Sequence, residues 1–315
     1  VGLSDTSTVE NIAVLVAYPV ISSVAPVSGA IDWNNQEFIF NVSQALDNTT
    51  VSAENVTVTS NFSNELTPVI SYIDSSTSIS ITYETSLVTM DSVNINLSDQ
   101  LTNIYGYALD GDGDGEGGGD HTVSYTTAML ADFDGNNAID VDDLAQFVIG
   151  LDGDDNNYEL GPFSGDMPHV YVILDQNYDI EDIVAFAMMW NWYSANNLIA
   201  FQEYEELGES INIETTHDSI FINIPEELSA YQLQIQYEPG NLFVQGHGNS
   251  NELYLTNQAR EDGIFTMMAT PNGNRMALSI EIVGRDANIS ISYKGIDGAG
   301  EIHGQETRTW TIENI

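Results

Sequence analysis

No lysine or arginine occurs before Arg260. Forty of the 48 acids lie in that cation-free stretch, so the first 259 residues carry a net charge of −40 and the last 56 only −3. Such a chain cannot neutralise its carboxylates with its own side chains. It repels itself unless salt or divalent cations screen it. A fold built from it must rest on apolar burial, bound cations or assembly, and with no cysteine it has no disulfides to add. The charge also excludes partners. Nucleic acid is ruled out because phosphate binding needs clustered Lys and Arg, and anionic membrane surfaces fall for the same reason. Membrane insertion is not expected, because no apolar run reaches roughly 18 residues. A hydrophobic content of 42%, with 15 Tyr and 11 Phe, argues against disorder. At roughly 150 residues per domain, 315 residues predict two or three domains.

Two readings of the charge stay open. One is adaptation to a saline or calcium-rich exterior. The other is a polar building block whose less acidic end meets the acidic end of a neighbour. A chain opening on Val1, with neither a charged leader nor an apolar leader core, fits a processed, secreted protein. Asn-x-Ser/Thr sequons at Asn41, Asn48, Asn55, Asn61, Asn96 and Asn288 would be glycan acceptors in that setting.

Residues 18–128 read as all-β. The runs 37–42, 56–59, 79–83 and 93–97 alternate apolar and polar residues at period two, between clusters of Gly, Asn, Asp and Ser. Regular short strands of this kind predict a β-sandwich. The stretch Pro26-Val27-Ser28-Gly29-Ala30, a strand, Ser43-Gln44-Ala45-Leu46-Asp47 and later Leu109-Asp110-Gly111 resembles a bacterial Ig-like domain of secreted surface proteins. Residues 1–17 form a separate β-prone segment, Thr8 to Ala17 being largely apolar. It is either the first strand of that sheet or a strand donated to a neighbouring subunit.

Residues 129–196 change character. Leu144, Phe147, Val148 and Leu151 fall at helical spacing, as do Ile183, Phe186, Ala187 and Trp190, and an acidic loop precedes each helix. The first loop, Asp132 to Asp143, places oxygen side chains at positions 1, 3, 5, 9 and 12. Calcium needs six to eight oxygens at about 2.3–2.6 Å, and alternate positions of a tight loop can surround it. Asp132, Asp134 and Asn136 would bind by side chain and Ala138 by its carbonyl. Asp140 would bind directly or through water, and Asp143 would close the shell. Asn137 stands where such loops carry Gly, and Asn tolerates the left-handed conformation. The competing reading is a solvated turn with a helix cap near Asp140.

Asp at position 12, with a helix only after the loop, resembles a dockerin module, which carries two such units. The second would be Tyr171 to Asp182, with Asp175, Asn177, Asp179 and Asp182 at positions 5, 7, 9 and 12. Tyr171 and Ile173 at positions 1 and 3 cannot ligate. The loop is either an ion-free repeat or is completed from Asp152, Asp154, Glu159 or Asp166. A third candidate, Asp110, Asp112 and Asp114, has the right initial spacing, but His121 occupies position 12 and no helix follows, so the run is either an ion site or a flexible, solvated hairpin loop.

Residues 197–315 return to strands. A hairpin is predicted around Thr216-His217-Asp218, and Tyr231 to Tyr237, Met276 to Val283 and Ile289 to Tyr293 alternate. The run Ala230 to Leu242, with the late Ile-x-Ile-x-Tyr strand, resembles a cohesin-type jelly-roll sandwich.

Catalytic signals are missing. The five His are scattered, and there is no His-Glu-x-x-His, nucleophile elbow or phosphate loop. A non-enzyme is therefore expected. Trp192 and Tyr193, and Trp33, are either core or platforms for sugar rings. The expected fold is mainly β: two β-sandwiches, Ig-like and cohesin-like, flanking a small helical dockerin-like calcium module. The order resembles large secreted proteins of marine, gliding-type bacteria. That resemblance implies an extracellular, calcium-binding subunit of a filament or sheath, partnered by itself or by another surface protein. The rival is an adhesin or carbohydrate-binding scaffold with glycan partners.

Overall fold

A computed structural model describes residues 17–62, 67–75, 77–153, 156–196, 201–208, 211–216, 219–223, 225, 227–240, 242–246, 254–259, 263–271, 275–282 and 287–312. The leader 1–16, with its two readings, lies outside the described residues, as do His217, Asp218 and Asp154. The fold is mainly β and divides into two compact units. One holds residues up to 31, 36–84 and 92–126. The other holds 32–35, 85–91 and the chain from 127 on.

The first unit is a β-sandwich. One sheet is made of β1 (Ile21–Ala25), β3 (Glu37–Val42), β6 (Ser78–Thr82) and β5 (Val69–Ile73), in that order. The other is made of β2 (Gly29–Ile31), β8 (His121–Thr127), β7 (Ser92–Leu97) and β4 (Val56–Ser60). Period-two alternation does the sorting. Phe38 and Phe40 of β3, Val93 and Ile95 of β7, and Tyr125 of β8 are buried, while Thr122 and Ser124 face outward. The inner faces meet at Phe38 and Tyr125, whose ring centroids lie 4.8 Å apart. Fully burying each such side chain stabilises the unit by about 1.5–3 kcal/mol.

The second unit begins with the helical segment. Helix α1 (Val141–Gly153) and helix α2 (Ile180–Asn196) are separated by a hairpin of β9 (Phe163–Asp166) and β10 (His169–Val172). Residues 85–91 run alongside β10, with Thr89 N donating to Val170 O at 2.8 Å and Val172 N to Ser86 Oγ at 2.7 Å. Beyond α2 lies a second sandwich. Its larger sheet runs β11 (Leu207–Gly208), β20 (Ile302–Ile312), β19 (Ala287–Asp297), β14 (Leu228–Tyr237), β17 (Ile264–Ala269) and β16 (Tyr254–Ala259). Its smaller sheet runs β12 (Asn212–Thr215), β13 (Ser219–Asn223), β18 (Arg275–Ile282) and β15 (Leu242–Gly246). Leu233, Ile235, Phe265, Met267, Ile291 and Tyr293 fill the space between them with Ile220 and Ile222.

The outer face of the larger sheet is not open to water. Ala230, Leu255, Met268 and Ile296 belong to the same cluster as Leu144, Phe147, Phe186 and Trp190. The helical layer therefore packs on that sheet, and Lys294 on β19 pairs with Asp142 in the first turn of α1. Alternation alone would leave Gln232 and Gln234 of β14 on a wet face. Both are buried, and Gln234 Oε1 accepts from Gln202 N at 2.9 Å.

Candidate metal site

The loop before α1 is shaped by its own carboxylates. Asn136 N and Asn137 N donate to the two oxygens of Asp132, at 3.1 and 3.0 Å. Asn137 adopts φ 63°, the left-handed conformation its position requires, and Gly135 adopts φ 72°. Asp143 lies in the first turn of α1 and is fully buried. Its Oδ1 accepts from Phe133 N at 2.7 Å, and its Oδ2 accepts from Asp140 N at 2.9 Å. Asp140 Oδ1 in turn accepts from Asp142 N at 2.8 Å. Asp140 and Asp143 thus form a reciprocal helix cap, the arrangement of a capping box.

Capping explains Asp140 and Asp143 but not their neighbours. Ligand oxygens of Asp132, Asp134 and Asp143 all lie within 4.8 Å of one another. Burial pushes the Asp143 carboxyl up to about 8, with Asp140 and Asp134 adding to the rise. Burial likewise pushes Asp140 up to about 6 and raises Asp132. Without a counter-charge such a cluster favours protons. A divalent cation would let all its carboxylates ionise together. Of the remaining predicted residues, Asn136 is exposed, with Nδ2 donating to Asp134 Oδ2 at 2.9 Å, and Ala138 lies half-buried in the loop. Tyr193 on α2 senses the same field, its hydroxyl being pushed up by burial and then by Asp140, Asp132 and Asp143.

The second loop is a structural copy of the first, built from two pieces. Glu159 Oε1 accepts from Gln176 N at 2.9 Å and also from Asp175 N, as Asp132 does for Asn136 and Asn137. Gln176 has φ 60°, matching Asn137. Asp182 is fully buried. Its Oδ1 accepts from Leu160 N and Gly161 N at 2.8 and 2.9 Å, and its Oδ2 accepts from Asp179 N at 2.8 Å, matching Asp143. Asp179 Oδ1 caps Glu181 N at 2.8 Å, matching Asp140. Positions 1 to 3 are therefore Glu159-Leu160-Gly161. Residues 162–174, which include β9 and β10, are inserted where the first loop has only Gly135.

This corrects the register predicted from sequence. Tyr171 is a strand residue opposite Ser164, and Ile173 follows the hairpin, so neither stands at position 1 or 3. Glu159 is the acid that stands at position 1, whereas Asp166 pairs in register with His169 of the hairpin. Gly161 cannot carry a ligand: a Cβ there would lie 2.7 Å from the Glu181 carbonyl carbon. Among the described residues the second loop does not bring three carboxylates together as the first does. Asn177 donates from Nδ2 to Asp179 Oδ2 at 2.7 Å.

Asp110, Asp112 and Asp114 do converge within 4.8 Å. Asp110 is buried and accepts from Gly113 N, Asp114 N and Gly115 N, a cradle like that of Asp132. His121 turns its Nδ1 to Gly111 O at 3.1 Å. Trp33 and Trp190 are buried, and Trp192 and Tyr193 are half-buried against the helical core. Among the described residues no helix is long and apolar enough to cross a membrane.

No family model matches the chain, and no curated protein matches it. Among solved structures it is similar to a cohesin module from a Clostridium perfringens family 33 glycoside hydrolase, at 8% identity over 33% of this chain and 94% of that one, with a TM-score of 0.27. It is similar to a type II cohesin domain from the Acetivibrio cellulolyticus cellulosome, at 13% identity over 35% and 96%, also at 0.27. It is also similar to the N-terminal part of the bacterial S-layer protein SbsC, at 13% identity over 92% of this chain and 43% of that one, with a TM-score of 0.24.

Proposed function

We propose that this chain is a non-catalytic, extracellular structural protein, a calcium-stiffened subunit of a surface filament or sheath. The observation that carries the reading is the convergence of Asp132, Asp134 and Asp143 at the foot of α1, the helix that covers the larger sheet of the second sandwich. Calcium would be held by those carboxylates with Asn136, the Ala138 carbonyl and Asp140 completing the shell. It would neutralise the loop and fix the start of α1, keeping the helical layer seated. The near-absence of cations supports an outside medium that supplies its own. The Asp110 cluster is a second candidate for calcium in the same medium, whereas the Glu159–Asp182 loop, short of a position-3 ligand, is proposed to hold its shape through hydrogen bonds.

Head-to-tail polymerisation is the assembly proposed, since a contact between unlike ends that does not close yields an open fibre. The test is electron microscopy of the purified protein in calcium and after chelation. Filaments that fray on chelation are expected. Isolated particles under both conditions would overturn the polymer.

A further inference from the structure

The first sandwich has an open seam. β2 has three residues and β8 seven, so among the described residues β2 cannot pair the whole outer edge of β8. His121 to Ser124 of β8 line a cleft of about 620 Å³ together with Val24 of the edge strand β1, Val27, Ser28 and Gly29 at the start of β2. Val27 is 79% exposed there, and Tyr125 Oη donates to Pro26 O at 3.0 Å, holding that segment in place. A cleft between the edges of two sheets, with valines on both sides, is the shape an added β-strand fills. Main-chain hydrogen bonds supply affinity, and alternate side chains fill the gap.

We infer that the occupant is the segment Thr8–Val16 of a second copy of this chain. In extended form Ile12, Val14 and Val16 share one face, the chemistry the cleft matches. The same chain is poorly placed to fill its own cleft. Ala17 to Val20 is held in place: Gln44 Nε2 donates to the Ala17 and Tyr18 carbonyls, Asp110 N to Pro19 O and Ser43 N to Val20 O. Folding back would need a turn just before it, yet Ile12-Ala13-Val14-Leu15-Val16 offers no Gly, Pro, Asn, Asp or Ser. A turn at Asn11 would deliver only the more polar residues 1–10.

This inference rests on the polymer proposed above and names its joint. The cysteine-free chain allows a clean test in the full-length protein. Val14→Cys and Ser28→Cys are made in separate molecules, mixed in calcium and oxidised. A disulfide heterodimer is expected, at least tenfold above either protein alone, and reduced tenfold when Val27→Glu is added to the Ser28→Cys partner. A cross-link that forms only within the single chain of a Val14→Cys/Ser28→Cys double variant, and not between the separate variants, would overturn donation between copies, as would a heterodimer indifferent to Val27→Glu. Filaments that form without any cross-link would sink this joint while leaving the polymer standing. Absence of both filaments and cross-link would remove the two together.

Discussion

At the scale of single residues, Asp143 carries the most consequence. It caps α1, accepts from Phe133 N and meets Asp132 and Asp134. Asp143→Asn should weaken calcium binding by on the order of tenfold or more, read by titration calorimetry, and abolish any calcium-induced rise in Tm. The pH dependence has a definite sign. Burial holds the folded Asp143 carboxyl near 8, above its ordinary value of 3.8. Between those values the folded state keeps a proton that the unfolded state has lost. The calcium-free protein should therefore lose stability as pH rises from about 4 to 8. Calcium affinity should rise over the same window, because metal and proton compete for one carboxylate. Denaturant melts at several pH values, with and without calcium, check both statements. Glu159 offers the contrast. Glu159→Ala removes the acceptor of the Asp175 and Gln176 amides and should cost about 0.5–1.5 kcal/mol per hydrogen bond, since both residues are exposed. Its calcium-dependent increment should match that of the unaltered protein. The convergence of Asp132, Asp134 and Asp143 was legible from spacing alone because the three lie within one run of twelve residues. Glu159 was one acid among four that could complete the second, and the inserted hairpin hid its position.

At the scale of elements, strand alternation was a faithful guide wherever one face meets a core and the other meets water. β3, β7 and β8 follow it. β14 does not, because α1 covers its second face, and a period-two pattern says nothing about what lies on the polar side. The helical spacings were right in kind and slightly off in face. Val141, Leu144, Ala145 and Phe147 are buried in α1, and α2 turns Ala185, Phe186, Met189 and Trp190 inward. Phe147 links the two helices, stacking on Phe186 at 5.1 Å and near-parallel to Phe133 at 6.3 Å. Leu144→Ala should destabilise the second unit by about 2–5 kcal/mol, the range for a large-to-small change in a packed core. Met268→Ala, on the sheet beneath, should fall in the same range. Because the two side chains share a cluster, the double variant should depart from additivity by at least 0.5 kcal/mol, about the lower end for residues in contact.

At the scale of the whole molecule, the charge asymmetry takes on a more specific meaning. Of the five cations, Lys294 is committed to Asp142 and Arg308 pairs with Glu306 at 2.5 Å, so two of them serve contacts inside the second unit. The first 259 residues hold no cation of their own, which places the burden of screening them on external cations. The most direct test of a calcium-stiffened subunit is amide hydrogen exchange of the intact protein with calcium and after chelation. Calcium should slow exchange across α1 and in β14 and β17 beneath it, while β3 and β6 of the first sandwich keep their rates. Equal exchange of α1 under both conditions would contradict the role assigned to the Asp132–Asp143 loop.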